Sequence, residues 1–499
     1  MATLLPTQNT PKITYLHASW SAQTMTENDL MMVVANSKTG KNLLRQCQRS
    51  PELLQLYGDL SRGSPPTFLQ LTATETAAGI LLIFVKNPLS AFEQLQAVAK
   101  LWKAAAGLQA KRIAICTVGF TAPEAQPLLN NLLAAILAGN AVLPSYKRKQ
   151  LSPSLTHIAV LEAKPSDFAT TLATHAGNHL ARWLTTLPPN ELTCGSYRRA
   201  LQQLAKREGW SAEFLNLAAL KKHQAGAFLA VARANANSDA GIMHLSYRAP
   251  RGRGKSRRKL CLVGKGICFD TGGINLKTHK GMYDMHTDMQ GSAVAVGTLL
   301  ALSQLQVPFD IDCWLALTEN EIGPNAYRPQ EIVTAANGTT IQVVHSDAEG
   351  RMVLADTLAL ATRQPADLLI DFATLTGACV AALTERMSGA FSNRTDLREP
   401  IEQAGRLSGE RVWGFPMDTD FDSDLDSPLA DIMQCTMDGK GDHILAARFL
   451  SRFVPDTVPW VHIDLASASK AGGLAHIPTE ITGFGVRWAV EFVTHHAFS

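Results

Sequence analysis

KLCLVGKGICFDTGG, Lys259–Gly273, is apolar over Leu260–Val263 and Ile267–Phe269, on either side of Lys265, and its strand-like part ends in Asp270, followed by Gly272-Gly273. A strand apolar on both faces belongs to a sheet covered by helices on both sides. A carboxylate at its carboxyl end stands where open α/β sheets place their pockets. Outward from this strand the pattern alternates. Asp288–Leu305 predicts a helix, Ile311–Asn320 a buried strand and Thr339–Asp347 another. Arg351–Arg363 predicts a helix with an apolar stripe. Asp367–Ala378 and Trp460–Ser467 read as further core strands, and Gly485–His496 as a closing helix. Upstream, Gly79–Val85, Lys111–Phe120 and His157–Ala163 read as strands, with a helix from Pro123 to Ala138 ended by Gly139. A helical pattern then runs from Pro165 to Leu184 and meets Pro188-Pro189, which cannot continue it. The expectation is an α/β protein. It has an N-terminal α/β domain over residues 1–165, a connecting helix over 166–189, and a larger α/β domain with a mixed central sheet over 190–499.

The 499 residues suit two to four domains at roughly 100–200 residues each. A hydrophobic fraction of 46% excludes a disordered or collagen-like chain. With 46 basic against 43 acidic side chains, the net charge of +3 names no partner. The best apolar run, Leu132–Leu143, is broken by Gly139 and Asn140, so no membrane span is expected. No secretory signal is expected either. The eight cysteines form no CxxC pair and read as buried free thiols of a reducing cytoplasm.

Several familiar motifs fail. RGRGKS, Arg251–Ser256, lacks the first glycine of a phosphate loop, since Ala249 stands there. Gly264 and Gly266 lack the third glycine of a dinucleotide fingerprint, and neither HExxH nor GxSxG occurs. Asp284–Asp288 lacks the glycine of a calcium loop. The basic run Arg248–Lys259 lies between two strand-like runs and reads as a solvated hairpin loop; the alternative is a nucleic-acid or acidic-surface contact.

The chemistry lies in carboxylates at element ends. Asp270 ends one strand, Asp288 opens a helix, and Asp347 and Glu349 follow another strand in DAEGR. In extended chain, residues two apart share a face, so Asp347 and Glu349 are expected to enter one pocket. Singly, each acid reads more readily as a helix cap or surface ion pair. Together, four converging carboxylates cannot all stay ionised in a dry pocket without cations. Two divalent ions close the charge, and an oxygen-rich set favours Mg²⁺, Mn²⁺ or Zn²⁺. Lys265, Lys277 and Arg351 lie in the same segments, and a lysine buried near cations can become a neutral ligand.

The ordered motifs LPPN, GKGICFDTGG, TDMQG, NAYRP, SDAEGR and ATLTGA resemble the leucine aminopeptidase family of dinuclear metallopeptidases over about Pro188–Arg487. The first 165 residues match only loosely, as a variable N-terminal domain of macro-like type would. The resemblance implies that Lys265, Asp270, Asp288 and Glu349 hold one metal. It gives the other to Asp270, Asp347 and Glu349, with Asp270 and Glu349 bridging. It gives Lys277 and Arg351 catalytic roles, Lys277 stabilising an oxyanion and Arg351 holding a bicarbonate. Met285, Thr374, Leu375, Gly377, Ala466 and Ser469 match positions that bind the substrate's first residue. The implied protein is a cytoplasmic exopeptidase that releases leucine-like N-terminal residues from peptides by a hydroxide activated between two metals. Its expected assembly is a homohexamer, a dimer of trimers. The alternative is a nucleic-acid-binding or scaffolding hexamer using residues 248–259.

This chain departs from the family at three positions. His345-Ser346 replaces the usual Asn-Thr before DAEGR, and Gln290 replaces a glycine after Asp288. The departures bear on metal preference.

Overall fold

The computed structural model describes residues 3–6, 10–17, 28–39, 42, 44–45, 49–60, 67–74, 78–86, 88–148, 154–250 and 258–498. The chain divides into two compact units. One comprises Thr7–His175 with Gly472–Glu480; the other comprises Met1–Pro6, Ala176–Ala471 and Ile481–Ser499. The division falls inside the helix Ala169–Thr186.

The smaller unit is built on six strands: β1 (Lys12–Leu16), β2 (Leu30–Asn36), β3 (Phe68–Leu71), β4 (Gly79–Val85), β5 (Arg112–Val118) and β6 (His157–Leu161). Their order is β1-β6-β5-β2-β4-β3, parallel except for β3. In β2, Leu30, Met32 and Val34 join the core shared with the helices Ala91–Ala106 and Ala122–Asn140. Met31, Val33 and Ala35 pack on the opposite face with Leu53 of the helix Ser50–Leu60. Period-two geometry thus turns a continuous apolar run into a strand buried on both sides.

The larger unit continues with β7 (Ser211–Asn216), β8 (Gly241–Tyr247), β9 (Lys259–Asp270), β10 (Asp310–Asn320), β11 (Ile332–Thr334), β12 (Thr340–Gln342), β13 (Leu368–Ala373), β14 (Ser388–Ser392), β15 (Val412–Gly414), β16 (Ile432–Met433) and β17 (Trp460–Asp464). Eight form a mixed sheet ordered β15-β14-β17-β13-β9-β10-β8-β7, and β11-β12-β16 form a small one. The central strands β17, β13, β9 and β10 run parallel, so their carboxyl ends meet at one edge. The helix Glu349–Ala361 is buried along its whole length. Its Asp356 is tolerated because the carboxylate accepts the Phe228 and Ala336 amides at 2.7 Å each.

Two sequence expectations change. β8 and β9 do not form a hairpin: β10 lies between them and pairs with both, antiparallel to β8 and parallel to β9. Residues 251–257 of the basic run lie outside the described residues; its flanking Arg248 and Lys259 both pair with Asp312, at 3.1 and 2.6 Å. The strand expected over Thr339–Asp347 is confined to Thr340–Gln342, because a turn at Ser346-Asp347 leads into the helix that Glu349 begins.

Candidate metal centre

β9 delivers two groups of opposite charge. Lys265 and Asp270 are five residues apart, so in a regular strand they would face opposite sides. The ladder between β9 and β10 shifts register near the end: Ile267 pairs with Thr318, but Asp270 pairs with Asn320. The extra residue on β9 is a bulge that re-aims the strand end. Both side chains are buried, Lys265 at 3% exposure and Asp270 at 2%.

After Asp270 the chain turns at Gly272, whose φ is +85°. A β-carbon there would also lie 2.9 Å from Asp347 Oδ1 and 3.0 Å from Lys277 Cγ, so glycine lets the turn close over the site. The turn returns Lys277 to the strand end, where its Nζ lies 2.9 Å from Asp270 Oδ2 and 2.7 Å from Asp347 Oδ1. Lys265 Nζ lies 2.9 Å from Asp288 Oδ2 and 3.1 Å from Glu349 Oε1, and donates to the Thr374 carbonyl at 2.8 Å. Its stem crosses Gly350, where a β-carbon would come within 2.6 Å of Lys265 Cε.

Asp270, Asp347 and Glu349 offer oxygens that all lie within 4.8 Å of one another, the metal-type cluster found among the described residues. Asp288 is tied into the same network through Lys265, and its Oδ1 accepts from Thr374 Oγ1 at 2.7 Å. Four carboxylates therefore face two ammonium groups, leaving two negative charges unbalanced in a buried place. Burial raises the Glu349 pKa to about 8, helped by Asp270 and opposed by Lys265. Burial likewise pushes Asp288 up to about 6 and raises Asp347. Burial works against the Lys265 charge, but Asp288, Glu349 and Asp270 overcome it and hold its pKa above the ordinary lysine value. Lys277 is held above its ordinary value in the same way, by Asp270 and Glu349. Hard oxygen donors, close together and short of positive charge, fit divalent cations.

Sequence reasoning missed the groups that orient this cluster. Buried Asn320 donates to Asp270 Oδ1 at 2.8 Å, to the Ser346 carbonyl at 3.0 Å and to Glu349 Oε2 at 3.4 Å. Tyr327 donates to the same carbonyl at 2.7 Å. Ser346 donates to the Gly272 carbonyl at 2.7 Å and accepts from the Asn275 amide at the same distance, clamping the two loops together. The His345 ring stays local, its Nδ1 accepting from the Asp347 amide at 3.2 Å. Asp347 and Glu349 converge through a turn and a helix start rather than through strand alternation, and the first turn of a helix favours the Glu349 carboxylate.

Arg351 points to a different partner. Its guanidinium is buried, and Nη2 donates to both oxygens of Asp442 at 2.8 and 2.7 Å, while Nη1 donates to the Gln434 carbonyl at 3.2 Å. Asp442 carries no strand-end or motif signal in the sequence.

The positions matched to a substrate pocket lie around the strand ends. Met285 is half-buried in a short turn before Asp288. Thr374, Leu375 and Gly377 follow β13, and Ala466 follows β17. Asp464, at the end of β17, accepts the Leu375 amide at 3.1 Å and the Thr376 hydroxyl at 2.7 Å, fixing that loop. Gln290 donates to Ser469 at 3.1 Å, so one departure from the family pattern is paired with another pocket position.

Residues 179–490 match the catalytic-domain model of the cytosol aminopeptidase family. A probable cytosol aminopeptidase of Synechococcus sp. (strain JA-3-3Ab) is 40% identical over 64% of this chain and 62% of its own length. One from Syntrophotalea carbinolica is 35% identical over 95% of this chain and 98% of its own. The structure superposes on a tomato leucine aminopeptidase mutant with a TM-score of 0.82 and 27% identity, over 98% of each chain. It also superposes on the bottromycin maturation enzyme BotP in complex with Mn, with a TM-score of 0.79 and 27% identity, over 93% of this chain and 98% of that one. Two α/β units, a carboxylate cluster at the strand ends and a match across most of the larger unit place the chain in the cytosol aminopeptidase family.

Proposed function

We propose that this protein is a metal-dependent exopeptidase of the cytosol that releases leucine-like N-terminal amino acids from peptides. The observation that carries this reading is the cluster of Asp270, Asp347 and Glu349 within 4.8 Å, held between Lys265 and Lys277 in a chain of this family. The cytosolic assignment rests on the names of the relatives, and among the described residues no helix is long and apolar enough to cross a membrane.

Lys265, Asp270, Asp288 and Glu349 would hold one divalent ion and Asp270, Asp347 and Glu349 the other, as Zn²⁺, Mn²⁺ or Mg²⁺. Bound there, such ions supply Lewis acidity to a carbonyl and lower the pKa of water. Lys265 can act as a ligand only as the free amine. The negative charges that now hold its proton are those an ion would neutralise, so loading releases the proton. Lys277 sits at the mouth of the cluster, with 17% of its side chain exposed. There it would keep its charge and face the reacting carbonyl, where an ammonium stabilises negative charge that develops only in the transition state. Asn320 and Ser346 keep Asp270 and the Asp347 loop in place. Met285, Thr374, Leu375, Gly377 and Ala466 would line the site of the departing residue, with the Gln290–Ser469 pair adding a polar spot.

The test is hydrolysis of aminoacyl amides led by leucine, lost on chelation and restored by Mn²⁺ or Zn²⁺. Metal-loaded protein inactive across a broad aminoacyl panel would refute the reading. A homohexamer is the proposed assembly, to be read by size exclusion with light scattering.

A further inference from the structure

Arg351 follows Glu349 by two residues in the same first helical turn, and its charge is already matched. Nη2 reaches both oxygens of Asp442 and Nη1 the Gln434 carbonyl. Gln434 is itself fixed: its side chain donates to the Ala348 carbonyl at 2.9 Å and accepts the Val344 and His345 amides at 3.1 and 3.0 Å. Asp442 begins the helix Asp442–Ser451 directly after Gly441, whose φ is +62°. That left-handed turn delivers the carboxylate inward while 22% of its side chain stays exposed. A free anion on Arg351 would have to displace the Asp442 carboxylate, which already takes the Nη2 hydrogens and matches the charge of the guanidinium.

We propose that Asp442 is the resident anion of Arg351. Its carboxylate fills the seat that a free bicarbonate would take, so this protein works without one. Asp442 is then a positioning residue: it balances the charge of Arg351 and holds it in place beside Glu349. The proposal rests on the aminopeptidase reading for its catalytic arm only.

Two measurements on the metal-loaded full-length protein test it. The first is line broadening of isotope-labelled bicarbonate with wild type, Asp442→Ala, and the double variant R351M/D442A. Wild type should give none, D442A should give broadening, and the double variant should lose it. The second is leucyl-amide turnover at fixed pH with added bicarbonate or formate. Wild type should be indifferent. D442A should fall on the order of 100-fold through misplacement of Arg351, and either anion should restore much of that loss. Asp442→Asn fills the seat without charge and should be neither stimulated nor rescued. Arg351-dependent bicarbonate binding by wild type, or a folded D442A with full turnover and no anion response, overturns the proposal. Should D442A not fold, the wild-type binding measurement and D442N decide alone. Wild type inactive on every aminoacyl amide would sink the aminopeptidase reading, and the binding arm would still report whether the seat is filled.

Discussion

Replacing Glu349 by Gln should make the metal-free protein more stable at alkaline pH, although it removes a partner of Lys265. Burial, then Asp270, raise the Glu349 pKa from 4.5 to about 8. Between those values the folded chain holds a proton that the unfolded chain has released. The stability this confers is full below the unfolded value and is lost as pH rises through about 8. The amide of the E349Q variant would mimic the protonated acid at every pH. Relative to it, ionisation favours the unfolded wild type by about 4 kcal/mol at pH 8 and by about 1 kcal/mol near pH 5. Asp288, pushed up to about 6, titrates with Glu349 and steepens the same trend. The assay is urea unfolding of chelator-treated wild type and E349Q at a series of pH values. Chelated wild type should weaken as pH rises from 5 to 8, and the E349Q advantage should widen over the same interval. Added Mn²⁺ or Zn²⁺ should reverse the order, because cations replace the missing proton in wild type and bind E349Q poorly. Equal stability of the two chelated proteins at pH 8, or a gap that narrows with pH, would show that the carboxylates are not crowded as argued.

The remaining predictions concern the groups around the cluster. Asn320→Ala removes a hydrogen bond to a buried carboxylate and one to a carbonyl, and should cost about 3 kcal/mol in chemical unfolding; a loss under about 0.5 kcal/mol would mean that the Gly272 amide and Lys277 hold Asp270 without it. Lys277→Ala should cut turnover on leucyl amides about 100- to 1,000-fold while metal content by elemental analysis stays near wild type; equal loss of both would assign Lys277 to assembling the centre instead. Gly350→Ala puts a β-carbon 2.6 Å from Lys265 Cε, so metal affinity measured by competition with a chelator should drop at least about tenfold; unchanged affinity would show that the Lys265 stem has room to move.

Much of this arrangement was legible in the sequence, and the parts that were not share a cause. β9 was readable end to end because burial on both faces leaves apolar residues on either side of Lys265 and a sharp polar stop at Asp270. The bulge that brings Asp270 round to the side of Lys265 leaves no such mark, since it depends on how β10 pairs rather than on composition. The same strand hid the hairpin error: sequence neighbours β8 and β9 looked adjacent, but β10 arrives later in the chain and takes the place between them. Asp464 was within reach of the strand-end argument that found Asp270, because it closes β17 in the same way. Asn320 also closes its strand, but an amide there carries no charge to flag it. Asp442 was beyond reach altogether, because its meaning lies in Arg351, distant in sequence and joined to it only by the fold.

Charge shows most clearly how sequence and structure divide the work. The whole-chain balance of +3 says nothing about a cation site, and neither does any one acid. What selects for cations is local: two ammonium groups among four carboxylates, at a place where burial makes each unmatched charge costly. The fold then separates two electrostatic environments within one helical turn. Glu349 faces a deficit of positive charge, and protons or metal ions must fill it. Arg351, two residues on, faces a balance that Asp442 has already closed. Reversing the second environment by removing Asp442 should leave the first intact. Removing Asp442 should therefore change the response to anions while the metal requirement stays as it is.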